Sequence, residues 1–203
     1  MHALDHVMVV VADLDEAAHR YDSDFGLVAV PGGRHPGFGT ANSIIPLGDA
    51  FIELVVVEDA AVSPLAEFLS GRLASDGEGI VGVCLRAADF AAVAARLDSP
   101  IVPMSRTRPD GTELHWELTG IDGALVHGLP FFISWAVDED HPARMRVGHP
   151  SGARGIAWVE IGGDPERVRS WLGEDEAPLR LVGGDPGPHR YAVTTASGEL
   201  TLS

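Results

Sequence analysis

The chain has 203 residues with a formal net charge of −16, and 45% of its residues are hydrophobic, enough to form the core of one domain or of two small ones. So acidic a chain argues against nucleic acid and anionic membranes as partners, because both bind basic patches. All 14 basic residues are arginines, which excludes a Schiff-base lysine and a Walker-type phosphate loop.

Targeting signals are the next feature to consider. The apolar stretch near the N-terminus is flanked by aspartates, whereas a secretory signal has a basic flank, and no apolar run is long enough to span a bilayer. The single cysteine, Cys84, cannot form an internal disulfide. We therefore expect a soluble cytoplasmic protein.

One pattern occurs three times along the chain. A β-branched run is followed by an aspartate placed to cap a helix and then by apolar residues at helical spacing, and the three aspartates, Asp13, Asp89 and Asp164, lie at almost equal intervals. Extended segments follow each predicted helix: 27–30, 40–47 and 51–58; 101–107, 113–120 and 131–137; 179–183, 190–196 and 199–202. The sequence thus predicts a β-α-β-β-β unit repeated three times.

These units predict an α+β fold of repeated βαβββ modules that form a curved mixed-sheet cup. The predicted divisions are a first module (1–60), a linking helix (61–78), a second module (79–140), a linker (141–154) and a third module (155–203). Two curled sheets side by side form a cup, and we expect a ligand to bind on its concave face.

Four stretches carry a resemblance to a known family: "LDHVMVVVADLDEA" at the start, residues 32–59, "RTRPDG" with "LHWEL" (106–118) and "LPFFISW" (129–135). They resemble the glyoxalase-like domain group of the vicinal oxygen chelate superfamily, which includes glyoxalases, bleomycin-resistance proteins and dioxygenases. The resemblance implies paired modules around a divalent metal (Mn, Fe, Co, Ni or Zn) that binds vicinal oxygens of a small substrate. It also implies lyase, isomerase or dioxygenase-like chemistry, although several relatives are binding proteins that sequester a drug.

His6 and Glu53 fall at the metal-ligand positions that this resemblance implies. A period of two places Leu4, His6 and Met8 on one face of the first strand, and it places Glu53 on one face of the fourth. A buried carboxylate needs a partner, so Glu53 is expected to bind the metal or to act as a base. The alternatives are a hydrogen-bonded core histidine and a glutamate that pairs with an arginine inside the core.

The second module departs from the family pattern. Seven residues before its cap stands Gly82, which cannot bind a metal, and Ser134 or a neighbour lies near the position that corresponds to Glu53. A three- or four-ligand site would need a substitute from His35, His115, His127 or Glu117. The cofactor is therefore predicted to be either a divalent metal ion or none.

Further candidates for the site lie in three segments. The glycine-rich loop 32–42 offers Arg34 and His35, with Thr40 and Asn42 in phase on the next strand. Arg106 and Arg108 are in phase on one strand and would clamp an anionic group, and Trp116 and Trp135 would contact the substrate. We assign His35 a catalytic role and the other seven a substrate-binding role. The alternatives are a surface hairpin, surface ion pairs and core aromatics.

Two functions remain open from the sequence. The first is a small-molecule enzyme of the vicinal oxygen chelate type, and the second is a metal-free protein that binds or sequesters a small molecule in the same cup. An odd number of modules also leaves one sheet without a partner, which suggests a homodimer.

Overall fold

The computed structural model describes residues 1–108, 110–137, 141–173 and 175–203. Pro109 of the "RTRPDG" motif and the end of the predicted second module (138–140) lie outside these ranges. The strands are β1 (Ala3–Val10), β2 (Val30–His35), β3 (Thr40–Leu47), β4 (Ala50–Val57), β5 (Gly79–Arg86), β6 (Val102–Thr107), β7 (Glu113–Thr119), β8 (Phe131–Trp135), β9 (Gly155–Gly162), β10 (Leu179–Val182), β11 (Gly187–Thr195) and β12 (Gly198–Leu202). The helices are α1 (Leu14–Phe25), α2 (Pro64–Asp76), α3 (Phe90–Leu97), α4 (Ile121–His127) and α5 (Pro165–Leu172).

The first eight strands form one closed sheet, in the order β1-β4-β3-β2-β6-β7-β8-β5. β1 and β4 are parallel and place Met8 beside Glu53, while β1 and β5 are antiparallel and place Val7 beside Val83. The sheet closes between β2 and β6 through a single pair, Arg34 with Thr107. The predicted α+β fold with a curved sheet is confirmed.

The helix starts agree with the capping signals in the sequence. Asp13 accepts hydrogen bonds from the N–H groups of Asp15 and Glu16, Asp89 from that of Ala92 and Asp164 from that of Glu166. Ser63 caps α2 in the same way. A side chain that satisfies free N–H groups of the first turn stabilises a helix by about 1 kcal/mol. The three aspartate caps are confirmed, and α2 lies within the segment predicted to form a linking helix.

Two elements differ from the prediction. Residues 27–30 were expected to form a strand, but β2 begins only at Val30 and runs through the glycine-rich segment to His35, so most of this segment is sheet. The helix α4 between β7 and β8 was not predicted. It lies between Gly120 and Gly128, both in the left-handed conformation. Because it has only seven residues, its apolar residues are too few to show a helical period in the sequence.

The remaining four strands form a separate sheet, in the order β10-β9-β11-β12. Residues of this sheet and of α5 share one apolar core with α1 and with the strands of the closed sheet. Within it, the hydroxyl groups of Tyr21 and Tyr191 are 3.1 Å apart, and burial raises the pKa of both. One face of this four-stranded sheet is thus covered within the chain, and a homodimer stays a prediction.

Membrane insertion through helices has no support within the described ranges. No helix there combines the length and the apolar character needed to cross a bilayer.

Candidate functional site

The closed sheet surrounds a cavity of about 570 Å³, measured out to its open mouth. Eight of the predicted site residues line it: His6, His35, Thr40, Asn42, Glu53, Arg106, Trp116 and Trp135. The polar members come mainly from β1 to β4. The facing wall, from β6 to β8, is apolar except for Arg106, and it contributes Met104, Trp116, Leu118, Phe131 and Ile133. The cavity therefore has one polar and one apolar side.

Glu53 is held by an amide that is itself held by an arginine. The Asn42 Nδ2–H donates to Glu53 Oε1 over 2.6 Å, and the Arg106 Nη1–H donates to Asn42 Oδ1 over 2.9 Å. All three side chains are buried, and burial lowers the pKa of Arg106 while Glu53 opposes the shift. The positive charge of Arg106 partly compensates the buried carboxylate.

Two glycines make room for this chain of contacts. A Cβ on Gly32 would lie 2.0 Å from Asn42 Oδ1, and one on Gly33 would lie 2.8 Å from Arg106 Cγ. The backbone at these two positions therefore approaches Asn42 and Arg106 more closely than any residue with a Cβ would allow.

His6 connects Glu53 to a second buried carboxylate, Asp5. Its Nδ1 is 2.7 Å from Asp5 Oδ1 and its Nε2 is 3.6 Å from Glu53 Oε2. An ionised Asp5 can only accept, so Nδ1 carries a proton and Nε2 is the atom that faces Glu53. Two groups that each hold or release a proton thus face one small space.

Asp5 is fully buried and has four cationic or N–H partners. The His141 Nε2 is 2.9 Å from Asp5 Oδ2, the Trp135 Nε1–H donates to the same oxygen over 3.0 Å, and the Arg86 Nε is 3.5 Å away. Burial alone would raise the pKa of Asp5, but the hydrogen bonds and charges of His141 and His6 hold it well below its usual range.

The sequence reasoning missed Asp5 because strict alternation would turn it away from His6. A bulge between β1 and β5, where Leu4 pairs with Leu85 and His6 with Cys84, leaves Asp5 as the extra residue. For the same reason Leu4 packs in the core outside the closed sheet, so its predicted face is wrong. A charged residue in the middle of the apolar run of β1 was the one available signal.

His141, a loop residue with no predicted role in the site, is a buried partner of Asp5. It begins the linker, and its Nδ1 accepts from the Ala143 N–H over 3.2 Å, which leaves Nε2 to donate to Asp5. The next residue, Pro142, lines the cavity. The linker thus closes one part of the site.

His35 lies at the end of β2 with its Nδ1 3.0 Å from Thr40 Oγ1 and its ring edge against Trp116. Burial lowers the pKa of His35 to about 4, with Arg106 and His6 adding to the shift and Glu53 opposing it. It is therefore neutral at pH 7. Trp116 also contacts Trp135, with ring centroids 5.2 Å apart.

Two predicted substrate contacts lie outside the cavity lining. Arg34 is exposed and pairs with Glu58 over 3.0 Å, because it occupies the outer face of β2. Arg108 follows the end of β6 and is part of the turn to β7, where its N–H donates to Thr112 O. Neither arginine lines the cavity, so their substrate-binding roles stay predictions.

A divalent metal does not fit the donors that surround Glu53. The antiparallel pairing of β1 with β5 is symmetric about Val7 and Val83, so Gly82, the partner of Met8, is the counterpart in β5 of His6, the partner of Cys84. By the same symmetry Cys84 is the counterpart of Met8. Glu53 pairs with Met8 and Phe131 pairs with Cys84, so Phe131, and not Ser134, corresponds to Glu53. The Phe131 ring lies over Gly82, 3.4 Å from a Cβ built there. The two positions from which the second module would supply ligands thus hold no donor.

The substitutes named from the sequence do not complete a site either. His115 and Glu117 are exposed, since the alternation of β7 points Trp116 inward and its neighbours outward, and His127 is exposed at the end of α4. His35 lines the cavity, but within the described ranges its ring nitrogens form no group of three close donors with His6 and Glu53. Over the described ranges, one group of three potential ligands has its atoms within 4.8 Å of one another, and its members are Asp5, His6 and Cys84.

That group of three is a poor metal site. Both oxygens of Asp5 are engaged by His6, His141 and Trp135. Burial, together with the charges of Asp5 and Glu53, raises the pKa of the Cys84 thiol, whereas a metal ligand must be a thiolate.

Comparisons with known proteins agree with this fold. The sequence model described as "Glyoxalase-like domain" matches residues 4–177. The chain belongs to this family. Its members are part of the vicinal oxygen chelate superfamily, so the resemblance found in the sequence is confirmed.

Solved structures show the same architecture at low sequence identity. A hypothetical protein from Staphylococcus aureus is 16% identical, with a TM-score of 0.68 over 100% of this chain and 99% of that one. A methylmalonyl-CoA epimerase variant from Streptomyces coelicolor, in complex with 2-nitronate-propionyl-CoA, is 17% identical, with a TM-score of 0.50 over 66% of this chain and 97% of its own. A methylmalonyl-CoA epimerase in complex with methylmalonyl-CoA and NH4+ is also 17% identical, with a TM-score of 0.51 over 68% and 96% of the two chains. Among curated proteins no match is found.

Proposed function

We propose that this protein is a small-molecule enzyme of the vicinal oxygen chelate type that moves a proton on a carbonyl substrate. The observation that carries the proposal is the placement of Glu53 Oε2 3.6 Å from His6 Nε2 on the polar side of a cavity. Of the lyase, isomerase and dioxygenase-like reactions that the family resemblance allows, this geometry favours isomerisation or epimerisation.

In the proposed step Glu53 is the base. A C–H bond next to the substrate carbonyl breaks, its proton moves to Glu53, and the electron pair moves to the carbonyl oxygen to form an enolate. The buried positive charge of Arg106 stabilises that oxygen, and the His6 Nε2 lies beside Glu53. Return of the proton by Glu53 to another carbon gives the isomer, and delivery of a proton from water to the other face of the carbon, with the proton of Glu53 released to solvent, gives the epimer.

The other cavity residues position the substrate. Asn42 holds one oxygen of Glu53 and leaves the other facing His6, and neutral His35 presents its imidazole at the same cavity. Trp116 and Trp135 cover the apolar part of the substrate. A metal-assisted version of the reaction would have to rest on His6 and Glu53 alone, so the proposal assigns the chemistry to the side chains.

Hydrogen exchange with solvent tests the proposal. Purified protein is incubated in D2O with a panel of compounds that have an acidified C–H bond, namely 2-oxo acids, β-keto acids, short acyl thioesters and methylmalonyl-CoA, and deuterium uptake is followed by mass spectrometry. We expect uptake in at least one compound, its loss in Glu53→Gln, and no change in Glu117→Gln, which alters an exposed glutamate of β7.

The alternative function is metal-free binding or sequestration of a small molecule. The apolar wall formed by the second module favours it, because Phe131 occupies one of the two positions of the missing ligands and Gly82, which has no side chain, occupies the other. A compound that binds tightly in the cavity, exchanges no hydrogen with solvent and binds equally well to Glu53→Gln would establish binding in place of catalysis.

A further inference from the structure

A second cavity lies beside the site and is lined only by apolar residues. Four of its lining residues, Met8, Leu65, Leu118 and Phe131, also line the cavity that holds Glu53. The remainder of its lining is Phe68, Val81, Gly82, Ile121, Ala124 and Leu125, and its volume is about 400 Å³ when the open solvent at its mouth is included. The two spaces thus share one wall, at which Phe131 also touches the ring of His6, with centroids 5.7 Å apart.

The helices α2 and α4 form the outer side of this second cavity. A shallow depression continues from it toward the surface, and it shares Leu65, Ile121 and Leu125 with the cavity. The walls of the depression are largely apolar as well, with Phe38, Pro64, Pro100 and Val102. The apolar lining therefore continues from the polar site, across the shared wall at Phe131, to the space between α2 and α4.

We propose that this path binds a linear apolar tail of the substrate, so that the enzyme acts on an amphiphile with an oxygenated head and an alkyl or acyl chain. The inference rests on the proposed function for the chemistry at the head and on the apolar path for the tail. A polar ligand group would lose its hydrogen bonds to water there, since no lining side chain of the second cavity can replace them.

Gly82 gives the tail its room. It lines the second cavity and not the first, and a Cβ on it would make ordinary contacts with Phe131 and with Met8 Cβ, at 3.4 and 3.5 Å. A larger side chain would extend into the cavity. The same glycine that removes a metal ligand from the second module thus opens a space for methylene groups.

Binding of straight-chain probes tests the proposal without any need for turnover. The probes are sodium alkanoates from acetate to decanoate and the matching methyl ketones, and binding is followed by calorimetry and by the fluorescence of Trp116 and Trp135. We expect affinity to rise about fourfold per methylene in both series, as for apolar surface removed from water. Both series are used because the change in affinity per methylene reports on the tail, whereas the difference in affinity between an alkanoate and a methyl ketone of equal length reports on the head.

The variant Gly82→Val should stop this rise at a shorter chain and weaken decanoate by about tenfold, with butyrate unchanged. Gly79→Val is the matched control, since it adds the same side chain to the same strand where nothing lies within 4 Å. If Gly82→Val fails to fold, Ala124→Phe narrows the cavity from α4 instead.

An affinity that does not depend on chain length, or a length dependence that Gly82→Val and Ala124→Phe leave unchanged, would overturn the proposal. The same titrations on Glu53→Gln separate the two proposals. A length dependence that persists there, without hydrogen exchange in the wild type, would leave the tail site standing and remove the enzyme assignment. Hydrogen exchange in the wild type without any dependence of affinity on chain length would leave the enzyme assignment standing and remove the tail site.

Discussion

Asp5 and His6 are neighbours in the chain, yet their side chains meet through a 2.7 Å contact between Oδ1 and Nδ1 inside the protein. The bulge in β1 makes this contact possible. Because Asp5 fixes the proton on Nδ1, it determines that Nε2 is the atom that faces Glu53. Asp5 is thus a positioning residue, and it acts on the substrate through His6.

The variant Asp5→Asn tests this role. Its amide cannot accept from His6 and His141 at once, so we expect a loss of about 3–5 kcal/mol in the free energy of unfolding, as for other buried ionic networks that lose one partner. Proton exchange with substrate should fall by on the order of a hundredfold or more, since His6 can then adopt the wrong tautomer. Urea unfolding and the D2O assay measure the two effects, and wild-type exchange in a folded Asp5→Asn would refute the positioning role.

The pH dependence of stability gives an independent measure of Asp5. Its pKa in the folded protein is below the unfolded value of about 4, so its contribution is complete above pH 4 and is lost as the pH falls further. The stability of the wild type should therefore fall below pH 4 by about 1.4 kcal/mol per pH unit more steeply than that of Asp5→Asn. Parallel curves for the two proteins would contradict the low pKa.

The linker should influence the site through His141. In His141→Ala, Asp5 loses one charged partner and the linker loses its attachment beside Pro142, so we expect lower stability, by about 2 kcal/mol, together with weaker ligand binding. His149→Ala is the matched control, since His149 also holds the linker, through Pro46 O at 2.7 Å and the Val28 N–H at 3.0 Å, but does not line the cavity. It should lose stability with no change in binding, and equal effects of both variants on binding would argue against a specific role for His141.

The elements that the sequence predicted well are those with a local signal. The aspartate caps, the period of two in β4 that turns Glu53 inward and the phase of Thr40 with Asn42 all follow from neighbours in the chain. Asp5 and His141 could not be assigned in this way, because their contact depends on a bulge and on a linker that returns from residue 141 to β1. The position of Arg34 was predicted wrongly for a related reason. A loop has no alternation from which to predict the direction of a side chain, and the segment is in fact part of β2, which turns Arg34 outward.

The metal content of the purified protein tests whether His6 and Glu53 can bind a divalent metal without ligands from the second module. We expect less than stoichiometric Mn, Fe, Co, Ni or Zn in the tag-free wild type, because His6 and Glu53 lack partners from the second module. The double variant Gly82→His with Phe131→Glu supplies donors at the corresponding positions and should gain affinity for Zn or Ni, measured by elemental analysis and calorimetry. One equivalent of metal in the wild type, lost in both His6→Ala and Glu53→Gln, would instead restore the metal-assisted mechanism.

His35 should make the stability of the protein depend on pH above the range of Asp5. Its folded pKa of about 4 lies below the unfolded value of about 6.5, so the unfolded state binds more protons between these limits and stability rises with pH. The contribution is complete above pH 6.5, and about 3 kcal/mol of it is lost by pH 4. In His35→Gln this part of the curve should flatten, whereas His115→Gln, which changes an exposed histidine, should leave it in place. Urea unfolding between pH 4.5 and 7 measures the curves, and NMR titration should show a His35 ring that stays neutral at pH 6. A ring that gains its proton near pH 6.5 would show that water reaches His35 and that the cavity is open at this end.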